Sequence, residues 1–126
     1  MKQLQGCRIL LIEDHSDSRA TLAQLMRLKG CEVLEADNGS LGLKMAEAFK
    51  PDVVLVDLVM PRMDGYEVCN HIRHEAWGRN AVLIAVTGLG QPEDKQRCEE
   101  VGFNHHLLKP VRIDDLEQIL ASNCPA

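Results

Sequence analysis

A chain of 126 residues with 45% hydrophobic side chains is long enough to close one core and too apolar to stay disordered. Its formal net charge of −5 makes a nucleic-acid backbone or an anionic membrane surface a poor partner. The longest unbroken apolar run, Ala81–Val86, falls far short of the ~20 residues that span a bilayer, and MKQLQGCRIL at the N-terminus has no secretory pattern.

Arg8–Ile12 is the first strand candidate and ends in Glu13-Asp14. Ser16 can cap a helix carrying Leu22, Leu25 and Met26, with Gly30 just past its end. Glu32–Ala36 follows as a strand. Ser40 then precedes Leu41, Met45, Ala48 and Phe49 at helical spacing, and Pro51 marks the stop. Val53–Val56 is continuously apolar and runs straight into Asp57. Asp64-Gly-Tyr-Glu67 has the form of a capping box before Val68, Cys69 and Ile72. Ala81–Val86 gives a fourth strand, ending in Thr87-Gly88. Pro92, Glu93 and Asp94 open a helix that ends near Gly102 and whose apolar anchors are chiefly Cys98 and Val101. His105–Leu108 is the fifth strand, ending in Lys109-Pro110. A last helix has Asp114 and Asp115 in its first turn and Ile113, Leu116, Ile119 and Leu120 on one face.

Strands apolar on both faces, alternating with amphipathic helices, predict an α/β fold: a (βα)5 doubly wound, five-stranded parallel sheet. With no repeat or linker, residues 1–126 read as one domain with its core at about 7–122 and a frayed tail at 123–126. The five cysteines (7, 31, 69, 98, 124) form no CxxC pair. Odd in number and widely spaced, they suit reduced thiols in a cytoplasm rather than a disulfide framework or a zinc site.

In such a sheet, ligands bind beyond the carboxyl ends of the strands. There the sequence gathers Glu13-Asp14, Asp57, Thr87-Gly88 and Lys109-Pro110. Three carboxylates, a hydroxyl and an ammonium on one edge suit a hard divalent cation such as Mg²⁺. Without metal, repulsion should raise at least one carboxyl pKa.

The set Glu13-Asp14, Asp57 in DLVMPRMDG, Thr87-Gly88 and Lys109-Pro110 resembles the receiver domain of two-component response regulators, over Cys7 to about Ser122. The resemblance implies the flavodoxin-like strand order 2-1-3-4-5. It makes Asp57 the acceptor of a phosphoryl group from a histidine kinase or histidine phosphotransfer protein. Asp14 would ligate Mg²⁺ directly, Glu13 mainly through water, and Asp57 and the Val59 carbonyl would complete the set. Thr87 would hydrogen-bond the phosphoryl group, Lys109 would pair with it, and the Lys109-Pro110 bond would be cis. Switching would involve Thr87, His106 and the face made by the fourth helix, fifth strand and fifth helix. His106 stands where receivers usually carry Tyr or Phe. Val59 and Leu89 are apolar where the hydrolytic water approaches, which implies a persistent phosphoryl group. GFNHHLLKPV resembles receivers attached to hybrid sensor histidine kinases, so a fused kinase or a separate downstream protein is expected as partner, with no direct nucleic acid and no membrane insertion.

Other readings fit less well. A dehalogenase-type phosphatase needs a second acid two residues after the nucleophile, where this chain has Val59. A flavodoxin-like binder needs a Ser-, Thr- and Gly-rich loop where this chain has EDHSDS. A degenerate receiver scaffold would lack a key residue, and none is missing. Asp64 reads as a helix cap, Pro61 and Gly65 as loop-shaping residues, and His71 and His74 as surface residues. His105 and His106 should alternate across their strand and not act on one face.

Overall fold

The computed structural model describes residues 4–88 and 92–124. Strands β1 (Arg8–Ile12), β2 (Glu32–Ala36), β3 (Val53–Asp57), β4 (Val82–Thr87) and β5 (His105–Leu108) alternate with helices α1 (Ser16–Leu28), α2 (Gly39–Phe49), α3 (Gly65–Arg73), α4 (Pro92–Val101) and α5 (Ile113–Asn123). A 3-10 turn at Trp77–Arg79 lies between α3 and β4. All strand pairs are parallel, and the order across the sheet is β2-β1-β3-β4-β5. The expected (βα)5 fold is the one observed.

Side chains alternate along a strand, so each central strand feeds two cores. Leu10, Ile12, Val54, Val56, Leu83 and Ala85 pack with Val68, Ile72, Cys98 and Phe103 on one side of the sheet. Ile9, Leu11, Val53, Leu55, Ile84 and Val86 pack with Ala23, Met26, Leu116 and Leu120 on the other. That two-sided burial is why β1, β3 and β4 read as unbroken apolar runs. Each large side chain buried this way contributes about 1.5–3 kcal/mol. Among the described residues no helix is long and apolar enough to cross a membrane.

Several helix ends differ from the sequence reading. The N-cap of α1 is His15, with no side-chain cap bond, and Ser16 lies inside the helix. Asn38 caps α2, its side chain accepting from Leu41 N–H at 2.8 Å, and Ser40 lies inside the helix. Asp64 caps α3 as expected, accepting from Glu67 N–H at 2.9 Å.

The cysteine expectation is overturned at one pair. Cys7 and Cys124 form a disulfide across 117 residues, with Cα atoms 5.2 Å apart, while Cys31, Cys69 and Cys98 are free and buried. Linear spacing hides this pair because the sheet brings the residue before β1 against the end of α5, in the same core. The expected fraying of 123–126 is corrected in part. Asn123 ends α5 and donates to the Ile119 carbonyl at 2.7 Å, and Cys124 is covalently held. Residues 125–126 lie outside the described residues.

Candidate functional site: the carboxyl edge of the sheet

In the order β2-β1-β3-β4-β5 the four strands with polar ends are contiguous and run the same way, so their ends share one edge. Asp57 closes β3 and is 3% exposed. Its Oδ1 accepts from Val59 N–H at 3.1 Å, and its Oδ2 accepts from Lys109 Nζ at 2.7 Å. Lys109 Nζ also lies 3.1 Å from Glu13 Oε1, so one ammonium bridges two buried carboxylates from different strands. The Lys109 backbone is tied to the same edge, its N–H donating to Thr87 O at 2.8 Å, and the following Lys109-Pro110 bond is cis.

Glycine has a positional reason here. A Cβ on Gly65 would stand 2.7 Å from the Asp57 carbonyl oxygen, and Gly65 N–H donates to Leu58 O at 3.1 Å. The start of α3 therefore packs directly on the backbone that carries Asp57, which a side chain would prevent.

Glu13 and Asp14 complete the acidic group. Glu13 Oε2 accepts from His15 N–H at 3.3 Å. Asp14 Oδ1 is buried with no hydrogen-bond donor. Ligand atoms of Glu13, Asp14, His15 and Asp57 all lie within 4.8 Å of one another. Burial, and next the neighbouring Asp57 carboxylate, raise the Glu13 pKa above the ordinary glutamate value, against pulls from His15 N–H and Lys109. Burial works against the Lys109 ammonium, but its bonds to Asp57 and Glu13 more than offset that and hold its pKa above the ordinary lysine value. The expected rise of a carboxyl pKa thus falls on Glu13, and its largest cause is burial.

The donor set fits a hard divalent cation. It offers anionic oxygens on converging strands, and a buried carboxylate oxygen without a donor is the kind of group such an ion would satisfy. Val59 stands 61% exposed at the mouth, with its N–H already given to Asp57. Thr87, fully buried, closes β4 one position beyond the Asp57–Val86 register pair. A cavity of about 590 Å³ opens beside Asp57 and Lys109, walled by Leu22 and Leu25 of α1 and by Val111.

His106 is not at this edge. It lies in register with Ala85, and its Nε2 is buried without a hydrogen-bond partner. It borders a second cavity of about 250 Å³ with Lys95, Cys98 and Glu99 of α4 and Ile119 of α5. His105 borders the same cavity. β5 is the edge strand, so a cavity at that edge reaches both of its sides. His71 is exposed, and His74 Nδ1 sits 2.7 Å from the Asn70 carbonyl, so neither joins a metal group. Leu89 lies outside the described residues.

Two neighbours of the site went unnoticed in the sequence. His15 turns its ring toward the acids, Nδ1 being 3.5 Å from both Glu13 Oε2 and Asp14 Oδ1. Arg19 reaches back from α1 to the Glu13 carbonyl at 2.8 Å. Adjacency to Glu13-Asp14 was a readable signal for His15. Arg19 offered none, because its role depends on the path of the β1–α1 turn.

A doubly wound parallel sheet with an acidic pocket at its carboxyl edge is the arrangement expected of a receiver-type signalling domain. The chain belongs to the response regulator receiver domain family, whose model matches residues 9–121. Such domains serve two-component signalling, and accepting a phosphoryl group is their general role. The chain is 38% identical over 117 residues to a probable cyclic di-GMP phosphodiesterase of Vibrio cholerae, covering 90% of this chain and 25% of that protein. It therefore spans about a quarter of that relative's length. The chemotaxis protein CheY4 of Vibrio cholerae superposes with a TM-score of 0.89 at 26% identity, covering 94% of this chain and 98% of that one. The receiver domain of sensor histidine kinase PA1611 from Pseudomonas aeruginosa, solved with a magnesium ion coordinated in its active site cleft, gives 0.86 at 30% identity, covering 94% and 97%.

Proposed function

We propose that Asp57 is the phosphoacceptor, taking a phosphoryl group from a phosphohistidine on a histidine kinase or histidine phosphotransfer protein. One observation carries this reading: Lys109 Nζ lies 2.7 Å from Asp57 and 3.1 Å from Glu13, at an edge where both carboxylates are buried. An Asp57 carboxylate oxygen forms a bond to phosphorus as the donor's P–N bond breaks. The electron pair leaves on the imidazole nitrogen, which takes up a proton. Lys109, already beside Asp57 Oδ2, is placed to follow charge onto the arriving oxygens. Thr87 offers a hydroxyl from the adjacent strand end. Glu13, Asp14 and Asp57, with the Val59 carbonyl, would hold Mg²⁺, which when bound supplies neutralising charge for the phosphoryl oxygens.

The domain acts in this reading as a self-phosphorylating signal carrier, not as a turnover enzyme. The Val59 side chain gives a hydrolytic water no hydrogen bond, which favours a long-lived phosphoryl group. The signal passes through Thr87 and His106 to the face of α4, β5 and α5. In support, α4 has a single buried side chain, Cys98, and a cavity already separates it from His106. The readout is a downstream protein or a fused kinase. The likeness to a receiver within a sensor histidine kinase, and to a quarter of a larger phosphodiesterase, supports either. Nucleic acid and membrane insertion play no part, and a cytoplasmic location suits phosphoryl chemistry fed by ATP.

The test is incubation with acetyl phosphate and Mg²⁺. Wild type gains one acid-stable, base-labile phosphoryl group, and Asp57→Asn gains none because an amide is a poor nucleophile. Labelling of the variant at the wild-type rate would refute the assignment.

A further inference from the structure

We infer that Arg19 is a positioning residue for the cation site, acting through the backbone of Glu13; this rests on the metal reading above. The turn from β1 into α1 carries Glu13 and Asp14, and it lacks the usual fastening, since His15 at the N-cap makes no side-chain cap bond. Arg19 supplies one in its place. One turn into the helix, its N–H accepts the helical path by donating to the His15 carbonyl at 3.0 Å, which sets its side chain over the turn. Nη1 then donates to the Glu13 carbonyl at 2.8 Å. The Glu13 N–H is held on the opposite side by Ala36 O of β2 at 3.0 Å. The peptide groups flanking Glu13 are thereby fixed between a helix and a strand.

Arg19 is itself held. Its Nε lies 3.4 Å from Glu35 Oε1, with side chains 19% and 27% exposed. Glu35 Oε2 is 3.1 Å from Arg27 Nη1, and Arg27 Nη2 donates to the Val33 carbonyl at 2.8 Å. The chain of contacts runs from β2 through Glu35 to Arg19 and ends on the carbonyl between two proposed ligands. A charged side chain this covered, spending its strongest bond on one carbonyl, orients the carboxylates that follow it.

The sign of the effect separates positioning from simple charge. Arg19 is a cation near a cation site, so through Coulomb repulsion alone its removal would strengthen Mg²⁺ binding. Positioning demands the reverse. Because Glu35, shared with Arg27, offsets part of the Arg19 charge, loss of orientation should win.

The experiment measures Mg²⁺ affinity by calorimetry on the folded, unphosphorylated protein, with thermal unfolding as a control. Arg19→Met should weaken binding about tenfold, the usual scale for losing an outer partner of a ligand. Arg19→Lys, which keeps a donor and the charge, should restore most of it. Arg19→Gln, neutral and too short to reach the Glu13 carbonyl, should weaken binding likewise where charge alone would strengthen it, and it serves if the Met variant does not fold. Unchanged or tighter binding in both Arg19→Met and Arg19→Gln, beside a wild type that binds Mg²⁺, would overturn this inference and leave the metal reading intact. A wild type that binds no Mg²⁺ would overturn both.

Discussion

Arg73 is the partly buried side chain whose loss should cost the fold most. It is the last residue of α3, and its guanidinium serves four backbone carbonyls and one side chain. Nε and Nη2 donate to Gly102 O at 2.9 and 2.6 Å, and Nη2 also to Asn104 Oδ1 at 2.8 Å. Nη1 donates to Gly78 O at 2.9 Å and Ala81 O at 2.7 Å, with Arg79 O farther at 3.4 Å. Asn104 Oδ1 in turn accepts from Leu83 N–H at 2.8 Å, which ties the group to β4. Arg73→Met keeps the stem and removes every donor. A hydrogen bond from a charged group contributes about 1.5–3 kcal/mol, and a carbonyl left buried without a donor costs about 1–3 kcal/mol. Five contacts are short, but the side chain is only partly buried, so water can replace about half of them. The expected loss is therefore about 3 kcal/mol, within the upper range for single substitutions. Urea unfolding should show a lower midpoint at unchanged slope. Amide exchange should quicken first in α4 and the start of β5, because Gly102 is where α4 is anchored. A loss under about 1 kcal/mol would show that solvent replaces the guanidinium freely and that Arg73 does not anchor these loops.

Asp14→Ala should weaken Mg²⁺ binding, while Lys109→Ala should leave it at or above wild type because an ammonium leaves the site; titration calorimetry distinguishes the two, and equal losses would contradict the roles. Beryllofluoride with Mg²⁺ should shift amides as far as Cys98 and His106, and His106→Ala should blunt the shifts on α4 and α5; shifts confined to the surroundings of Asp57 would sink the switch. Tyr66, the only tyrosine, has its pKa pushed up to about 12, first by burial and then by the neighbouring Cys98. Since the unfolded chain ionises near the ordinary tyrosine value of about 10 and the native state does not, stability should fall as pH rises from about 10 to 12; ultraviolet titration of the folded protein checks the midpoint. Cys124→Ser should cost about 2–4 kcal/mol, as should adding reductant to wild type, because both reopen a loop spanning most of the chain; equal urea midpoints with and without reductant would count against it.

What could be read in the sequence was whatever repeats along it. Unbroken apolar runs gave the central strands, helical spacing gave the α faces, and parallel topology then sent Glu13, Asp14, Asp57, Thr87 and Lys109 to one edge. Each of those is a strand end, so finding the strands was enough to find the residues. Cap positions were less legible, because Ser16 has the right chemistry but the cap of α1 is His15 and that of α2 is Asn38. The Cys7–Cys124 bond, the Arg73 cluster and the Arg19–Glu13 contact all depend on where a turn or a terminus goes after leaving its element. Periodicity says nothing about that. Residue types did not help either: a cysteine at each end of a chain and an arginine on an amphipathic helix are ordinary.

The pocket is rigid in its frame and incomplete in its charge, and that combination suits the proposed role. Glu13 is held between β2 and Arg19, Asp57 lies on a strand with Gly65 packed against its carbonyl, and Lys109 is fixed through Thr87. None of these supports has to move for a ligand to enter. Against them stand three carboxylates and one ammonium; Asp14 Oδ1 is buried without a donor, and burial first, then the Asp57 carboxylate, raises the Glu13 pKa. A cation entering such a frame would spend little free energy on rearranging ligands, so its affinity should follow charge matching. A phosphoryl group on Asp57 would bring new negative charge and draw on Lys109 and Thr87, the two groups nearest β5. Movement is then cheapest where the structure is least anchored, which is α4, held by Cys98, by Arg97 stacked 3.9 Å over the Tyr66 ring, and at its end by Arg73. All three anchors lie in the second half of the helix, so displacement should be largest at Pro92 and smallest at Val101. An α4 that moves as a unit, with equal shifts at both ends, would require the Arg73–Gly102 contact to break and would point to a different coupling.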